Sequence, residues 1–163
     1  ALLQKGDIKQ ALRYIEQYDE SLHAAKPKEF CPHATVNAIL SSFFVQAQKD
    51  GISVSVSADT PEESPIADMD FVAVLSNLLE NALNGCRECG SHGEIRVDIR
   101  SVADKIVIVC SNPCKPGLVI ENGMLRKRGT GIDSVVLAVR KYSGDIRYEL
   151  EDESLTVCVI LNA

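Results

Sequence analysis

The sequence has no apolar run long enough to cross a membrane and no stripe of basic residues. Its 163 residues carry a net charge of -6, and the Lys and Arg residues are spread among acidic ones. A membrane-spanning helix needs about 20 consecutive apolar residues, and a nucleic-acid surface needs clustered positive charge. The composition therefore predicts a chain that neither spans a membrane nor binds nucleic acid.

The start of the chain also lacks familiar signals. The first ten residues, ALLQKGDIKQ, contain no long apolar segment of the kind found in a signal peptide. The chain begins without Met, inside a helical pattern, so we expect it to be a segment of a longer protein. Because nothing else indicates a secreted disulfide framework, the six cysteines are interpreted as reduced thiols of a cytoplasmic protein.

Zinc is an open alternative for some of these cysteines. Cys86, Cys89 and His92 follow a C-x2-C-x2-H spacing, and Cys110 with Cys114 could supply a fourth ligand. Against this, Cys86 continues the apolar face of a predicted helix, where a thiol behaves as a small hydrophobic group.

Hydrophobic residues make up 45% of the chain, enough for one domain with an appendage. Apolar residues at helical spacing predict a short helical segment over 1–28, followed by a domain over 29–163. Within the domain, periodicity and turn residues predict helices over 32–50, 68–88 and 129–144, strands over 52–58, 94–100, 105–110, 145–150 and 155–161, and an irregular stretch over 111–128. Hairpins next to a single strand require a mixed sheet, and helices with one apolar stripe cover one of its faces, which predicts a two-layer α/β sandwich.

The segment LSNLLENALNGC carries polar residues inside an apolar helix. Asn77 and Asn81 lie four residues apart and so share one face of the helix. Together they cost on the order of 1 kcal/mol in helix propensity relative to Ala. A carboxamide offers an oxygen to Mg2+ and an N–H to a phosphate without adding negative charge. A nucleotide site and a simply solvated helix face both fit this pattern.

Two further segments have polar or glycine residues at element ends. In KRGTGID, Gly129 and Gly131 begin a helix, where backbone N–H groups can approach a phosphate, and Lys127 and Arg128 add positive charge. Asn112 follows a strand and could face a ligand from the edge of the sheet. Each segment alone is also consistent with ordinary turn chemistry.

Taken in order, these segments resemble the ATP-binding domain of sensor histidine kinases, in the GHKL superfamily. NLLENAL matches the N box of that family, and GTGIDSVVLAVRKYSGDI resembles its second glycine box. The segment before the domain is similar to that of quorum-sensing peptide-receptor kinases. The resemblance implies a Bergerat-type fold, a two-layer sandwich with a mixed sheet and helices on one face.

The resemblance also implies ATP and Mg2+ as ligands and gives roles to residues of the helix. Asn81 would coordinate Mg2+, and Asn77 would help to hold the phosphates. Glu80 would polarise a water or the accepting group. Asn112 stands where most members have an Asp that accepts from the adenine amino group, and an Asn carbonyl lacks the charge assistance of that bond.

The glycine-opened helix would supply the rest of the site. Gly129 and Gly131, with Thr130 between them, would contact the phosphates. The loop over 114–128 would be a mobile lid, with Lys127 beside the phosphates and Arg128 at the terminal phosphate.

Two features depart from the family pattern. The first glycine box is here NPCKP, without glycine at the expected places, although Gly117 is nearby. His23, His33 and His92 lack the acidic neighbour of a phosphoacceptor and are predicted to be surface or turn positions. We therefore expect the accepting histidine upstream of Ala1.

The implied function is that of the catalytic domain of a two-component kinase, transferring the γ-phosphate of ATP to that histidine. Expected partners are the histidine-bearing dimerisation helix of a homodimer and a response regulator, and the expected setting is the cytoplasmic part of a membrane-anchored sensor. One alternative is a non-catalytic interaction module whose altered glycine box has lost nucleotide affinity. A serine kinase of the anti-sigma type would share the fold.

Overall fold

The computed structural model describes residues 28–90, 93–126 and 129–163. Over these residues the chain forms α1 (Ala34–Lys49), β1 (Ser53–Asp59), α2 (Asp68–Cys89), β2 (Glu94–Val102), β3 (Lys105–Pro113), β4 (Ile120–Glu121), β5 (Met124–Leu125), α3 (Thr130–Lys141), β6 (Asp145–Glu151) and β7 (Ser154–Asn162). The helical segment expected over 1–28 lies outside the described residues, except for Lys28, which is not helical. Among the described helices, none combines the length and the apolar character that crossing a bilayer requires.

Five strands form one mixed sheet in the order β1-β2-β3-β7-β6. Strand β1 runs parallel to β2, with Val56 opposite Val97, and the other neighbours are antiparallel. The parallel pair is connected through α2, as a parallel connection requires a crossover. All three helices lie on one face of the sheet, so the predicted two-layer sandwich with a mixed sheet is confirmed.

Helix α2 is the centre of the helical layer. Asp68 and Asp70 lie in its first turn, where the helix dipole favours negative charge, and Gly90 ends it in the left-handed conformation with φ 59°. The predicted apolar face is buried against the sheet and the neighbouring helices, and it comprises Phe71, Val74, Leu75, Leu78, Leu79, Ala82, Leu83 and Cys86. Burial of this stripe accounts for most of the stability of the helix.

His33 differs from its predicted surface position. Its side chain is 5% exposed and accepts a hydrogen bond from the Val36 N–H, so it caps the N-terminus of α1. Its ring also meets the ring of Phe71 edge-on, with centroids 5.0 Å apart. The prediction was a surface or turn position, and its surface alternative was wrong because the imidazole replaces the usual small polar cap and buries its apolar edges.

The stretch over 111–128 is more ordered than its sequence predicted. Strand β3 continues to Pro113, so Asn112 lies within the strand rather than after it. Further on, β4 and β5 form a two-stranded hairpin around Asn122 and Gly123, whose φ angles are 52° and 75°. These angles suit the tight turn that an Asn-Gly pair favours. The hairpin lies against β6, where the Tyr148 N–H donates to the Gly123 carbonyl at 2.8 Å.

Candidate functional site

A cavity of about 390 Å³ opens where the polar face of α2, the end of β3 and the start of α3 meet. Its volume is within the range of small-molecule sites. Polar groups lie at both ends of the cavity, and apolar side chains from the sheet and the hairpin line the space between them. The lining residues include Asn81, Asn84, Gly85, Glu88, Asn112, Cys114, Lys115, Leu118, Leu125, Gly129, Gly131, Tyr148 and Val157.

One end of the cavity is the N-terminus of α3. Gly129 is its N-cap residue, with extended φ and ψ angles, and among the described residues no side chain caps this end. The backbone N–H groups of the first turn can therefore serve a ligand, and the helix dipole favours an anion there.

Only glycine fits at position 131, because Asn77 occupies the space that a side chain would need. A Cβ on Gly131 would overlap Oδ1 of Asn77. Nδ2 of Asn77 donates to the Ala73 carbonyl at 2.5 Å, which holds the amide on the surface of α2. The half-buried Asn77 thus fixes how closely α3 approaches α2.

The other end of the cavity contains a second close approach. A Cβ on Gly85 would lie 2.5 Å from Nδ2 of Asn112 and 3.0 Å from the Pro113 carbonyl oxygen. Asn112 is only 6% exposed, and its Nδ2 donates to the Pro113 carbonyl at 2.7 Å. The amide orientation is thereby fixed, and Oδ1 is left as the acceptor end of the side chain.

The structure brings four of the predicted site residues together. Asn81, Asn112, Gly129 and Gly131 line the one cavity, although they lie on three elements. Asn77 lies behind Gly131, as described above. The remaining residues fall elsewhere or outside the described part of the chain: Thr130, exposed, begins α3, and Lys127 and Arg128 are not among the described residues.

Glu80 lies in a different place from its neighbour Asn81. Its side chain lines a separate groove of about 570 Å³ between α1 and α2, together with Ser42, Gln46 and Arg87. Successive helical residues point about 100° apart, so Glu80 lines the groove beside α1 while Asn81 lines the cavity beside α3.

The oxygen donors of the cavity suit a hard cation that is held mainly by a phosphorylated ligand. Asn81 is exposed and offers a carboxamide oxygen beside the start of α3. Mg2+ in nucleotide sites commonly takes one or two protein oxygens and completes its shell with phosphates and water. In the described ranges no group of three or more His, Cys, Asp or Glu side chains is placed to hold a metal by itself.

The cysteines proposed as zinc ligands are mostly buried thiols. Burial, together with the nearby Cys86, raises the pKa of Cys110 to about 12, and burial also raises the pKa of Cys86. These shifts favour the neutral thiol, whereas zinc binds the thiolate. His92 lies outside the described residues.

Several cavity residues were not identified from the sequence. Gly85, Leu118, Leu125, Tyr148 and Val157 come from five separate elements or loops, and no local pattern connects them. Two signals were present: a glycine inside an otherwise regular helix indicates close packing, and Asn122-Gly123 indicates a hairpin.

Comparison with known proteins identifies relatives of this arrangement. The sequence pattern of the GHKL domain family matches residues 66–162. The sensor histidine kinase NatK of Bacillus subtilis (strain 168) is 32% identical over 87 residues, which are 53% of this chain and 27% of that protein. The chain therefore spans about a quarter of the length of that relative.

Solved structures share the fold at lower identity. The catalytic domain of histidine kinase ThkA is 15% identical with a TM-score of 0.63, over 78% of this chain and 90% of that one. The Acinetobacter baumannii histidine kinase AdeS is 15% identical with a TM-score of 0.62, over 99% and 86%. The histidine kinase domain of the blue-light activated kinase of Erythrobacter litoralis is 15% identical with a TM-score of 0.67, over 85% and 64%. The resemblance and the fold inferred from the sequence are confirmed, and the chain belongs to the GHKL domain family.

Proposed function

We propose that the cavity binds ATP with Mg2+, and that the chain is the catalytic domain of a sensor histidine kinase. The observation that carries this proposal is the contact between the uncapped, glycine-opened start of α3 and the Asn face of α2, at Gly131 and Asn77. It combines an anion site made of backbone N–H groups with carboxamide oxygens for a cation. Family membership and the name of the related sensor kinase NatK support the same proposal.

The phosphates would lie at the α3 end of the cavity. Backbone N–H groups from Gly129 to Gly131 would bind them, and Asn81 would hold Mg2+, with Asn77 bracing the helix behind. Mg2+ supplies charge neutralisation for the transferring phosphoryl group. On the strength of the sequence, Lys127, Arg128 and Thr130 are proposed as further phosphate contacts.

The adenine would lie at the end marked by Gly85 and Asn112. With Nδ2 donating to Pro113, Oδ1 of Asn112 is the group that would accept from the adenine amino group. Leu118, Leu125 and Val157 supply apolar walls for the base. An Asp at position 112 could not donate to Pro113, so the Asn is suited to this loop as well as to the base.

Phosphoryl transfer would depend on positioning and charge stabilisation rather than on covalent chemistry by the protein. In this step a histidine nitrogen forms a bond to the γ-phosphorus while the bond to the β–γ bridging oxygen breaks and ADP leaves. Glu80 is proposed to polarise the accepting group. Because Glu80 lines the open α1–α2 groove, it can act only on a group that approaches from outside the cavity.

The whole protein is proposed to act with other partners. These are a histidine-bearing dimerisation helix upstream of Ala1, a second copy of the protein and a response regulator. We propose that the domain works on the cytoplasmic side, as part of a membrane-anchored sensor.

Calorimetric titration of the chain with ATP, with Mg2+ and then with chelator, tests this function. We expect Mg2+-dependent binding, weakened about tenfold or more by Asn81→Ala. Ser76→Ala is the matched control, since Ser76 is an exposed residue of the same helix that lines the α1–α2 groove. Absence of binding at millimolar ATP would instead favour a non-catalytic interaction module.

A further inference from the structure

A second cavity of about 660 Å³ lies beyond the end of α2. It is next to the cavity of about 390 Å³ proposed to bind ATP, called the nucleotide cavity below. Cys89 and Cys114 both line the second cavity, and Cys114 also lines the nucleotide cavity. Cys114 therefore forms part of the boundary that the two cavities share, as do Glu88 and Lys115. No role in the proposed phosphoryl transfer falls to either thiol.

The two cysteines are located where the end of α2 contacts the end of β3. Lys115 Nζ lies 3.5 Å from Glu88 Oε2, and these are the chain neighbours of the two cysteines. Cys89 Sγ donates to the Gly85 carbonyl at 2.8 Å, and Gly85 packs directly against Pro113. Contacts on both sides thus hold the segments that carry the two thiols side by side.

The thiols differ in access to solvent. Cys89 is partly exposed, whereas Cys114 is 5% exposed. Burial raises the pKa of Cys114, and the nearby Cys89 and Glu153 raise it further. An external oxidant would therefore meet Cys89 first, and Cys114 is the second, resolving thiol.

From this juxtaposition we propose that Cys89 and Cys114 form a modification site, a thiol pair that oxidises to a disulfide and thereby weakens nucleotide binding. The effect on binding rests on the proposed function, but the disulfide itself does not. Bond formation would draw the Cys114 side chain out of the wall of the nucleotide cavity and toward α2. Asn112, two residues earlier near the end of β3, would shift from the position in which its amide faces the cavity.

The proposed oxidant is a low-molecular-weight disulfide such as glutathione disulfide. The Cys89 thiolate attacks one of its sulfurs, forms a mixed disulfide and releases one glutathione thiolate. The Cys114 thiolate then attacks Sγ of Cys89, forms the protein disulfide and releases the second glutathione. Two protein thiols are oxidised, one glutathione disulfide is reduced, and the two protons lost by the protein are taken up by the two glutathione thiolates.

The test is to treat the 163-residue chain with glutathione disulfide and map its cysteines by mass spectrometry. We expect a peptide pair linked through Cys89 and Cys114, absent from Cys89→Ser and retained in the matched control Cys158→Ser, whose partly exposed thiol lies on β7. Oxidation of other cysteines with no 89–114 link would overturn the proposal.

Nucleotide binding gives the second readout. The oxidised chain should bind Mg-ATP about fivefold more weakly than the reduced chain, and by reciprocity saturating Mg-ATP should lower the equilibrium constant for disulfide formation with glutathione disulfide by the same factor. Unchanged affinity of the linked chain would refute the coupling. If the reduced chain binds no ATP but the link still forms, the proposed function fails while the thiol site stands.

Discussion

The two junctions between α2 and α3 are built in opposite ways. Where α2 begins and α3 ends, side chains close the junction: Lys141 Nζ and the Tyr142 hydroxyl each lie 2.6 Å from Oδ2 of Asp70. The same hydroxyl accepts from the Ala67 N–H at 2.9 Å. Where α3 begins, Gly131 leaves room for Asn77, and no side chain in the described part of the chain caps the helix.

The difference indicates that one junction stabilises the fold and the other is available to bind a ligand. The closed junction satisfies its polar groups internally and adds to stability. The open junction leaves backbone donors unsatisfied within the protein, which is useful only if a ligand completes them. One pair of helices can therefore be anchored at one end and ligand-responsive at the other.

The largest effect is expected from adding one carbon at the open junction. Gly131→Ala would displace Asn77 and push α3 away, so affinity for Mg-ATP should fall about tenfold or more, with a loss of about 2 kcal/mol in the free energy of unfolding. Calorimetry and urea titration measure the two changes.

Gly129→Ala is the matched control for that substitution. Nothing lies within 4 Å of a Cβ at Gly129. Because Ala is a poorer N-cap than Gly, the free energy of unfolding should fall by up to about 1 kcal/mol, half the loss expected for Gly131→Ala. Equal losses in the two variants would remove the special role assigned to the Gly131–Asn77 contact.

A smaller effect is expected at the end of the cavity proposed to bind adenine. Gly85→Ala would crowd the buried amide of Asn112 and the Pro113 carbonyl, and we expect about fivefold weaker ATP binding with a net loss of about 1 kcal/mol in stability, since Ala recovers some helix propensity. The double variant Gly85→Ala with Asn112→Ala should lose less stability than the sum of the two single losses. Strict additivity would show that the two positions do not interact.

At the closed junction, stability should change and binding should not. Tyr142→Phe removes the hydroxyl that joins Asp70 to Ala67 and should cost about 1 kcal/mol in the free energy of unfolding. ATP affinity, measured by the same calorimetry, should stay within experimental error. A marked loss of affinity would mean that the two junctions are coupled.

The smallest expected effect is on the acid dependence of stability. Lys141, and next Tyr142, lower the pKa of Asp70 below its ordinary value near 3.8. Since the folded-state pKa is the lower one, the stabilisation is complete above the unfolded-state pKa and disappears as pH falls through the folded-state value. The stability difference between the wild type and Asp70→Asn should therefore shrink below about pH 4, as measured by urea titration across that range.

Elements with strong periodicity could be predicted from the sequence. The apolar stripe of α2 and the alternation along β2 and β3 identified these elements to within a few residues, because burial on one face of each leaves a local record in the chain. The hairpin of β4 and β5 was missed, since its two-residue strands are too short to show any period.

Some site residues likewise carry a signal in their local sequence and others do not. Asn81, Gly129 and Gly131 stand out locally because each is a poor residue for its element unless it serves a ligand or a close contact. Gly85 was not identified as a site residue, since the need for glycine there comes from its close contact with Asn112, a residue of another element. The direction of Glu80, into the α1–α2 groove, depends on how α2 is rotated against its neighbours, which no local pattern records.

The hairpin of β4 and β5 has a consequence for how the protein behaves in concentrated solution. Strand β6 is a border of the sheet, and the hairpin occupies part of its free backbone through the Tyr148–Gly123 hydrogen bond. A border strand stripped of such cover is a template on which other chains can add strands and aggregate. Leu125 of the same hairpin lines the cavity described above, so the segment that covers this border also forms part of the cavity wall. A ligand that contacts Leu125 would therefore help to keep the border strand covered.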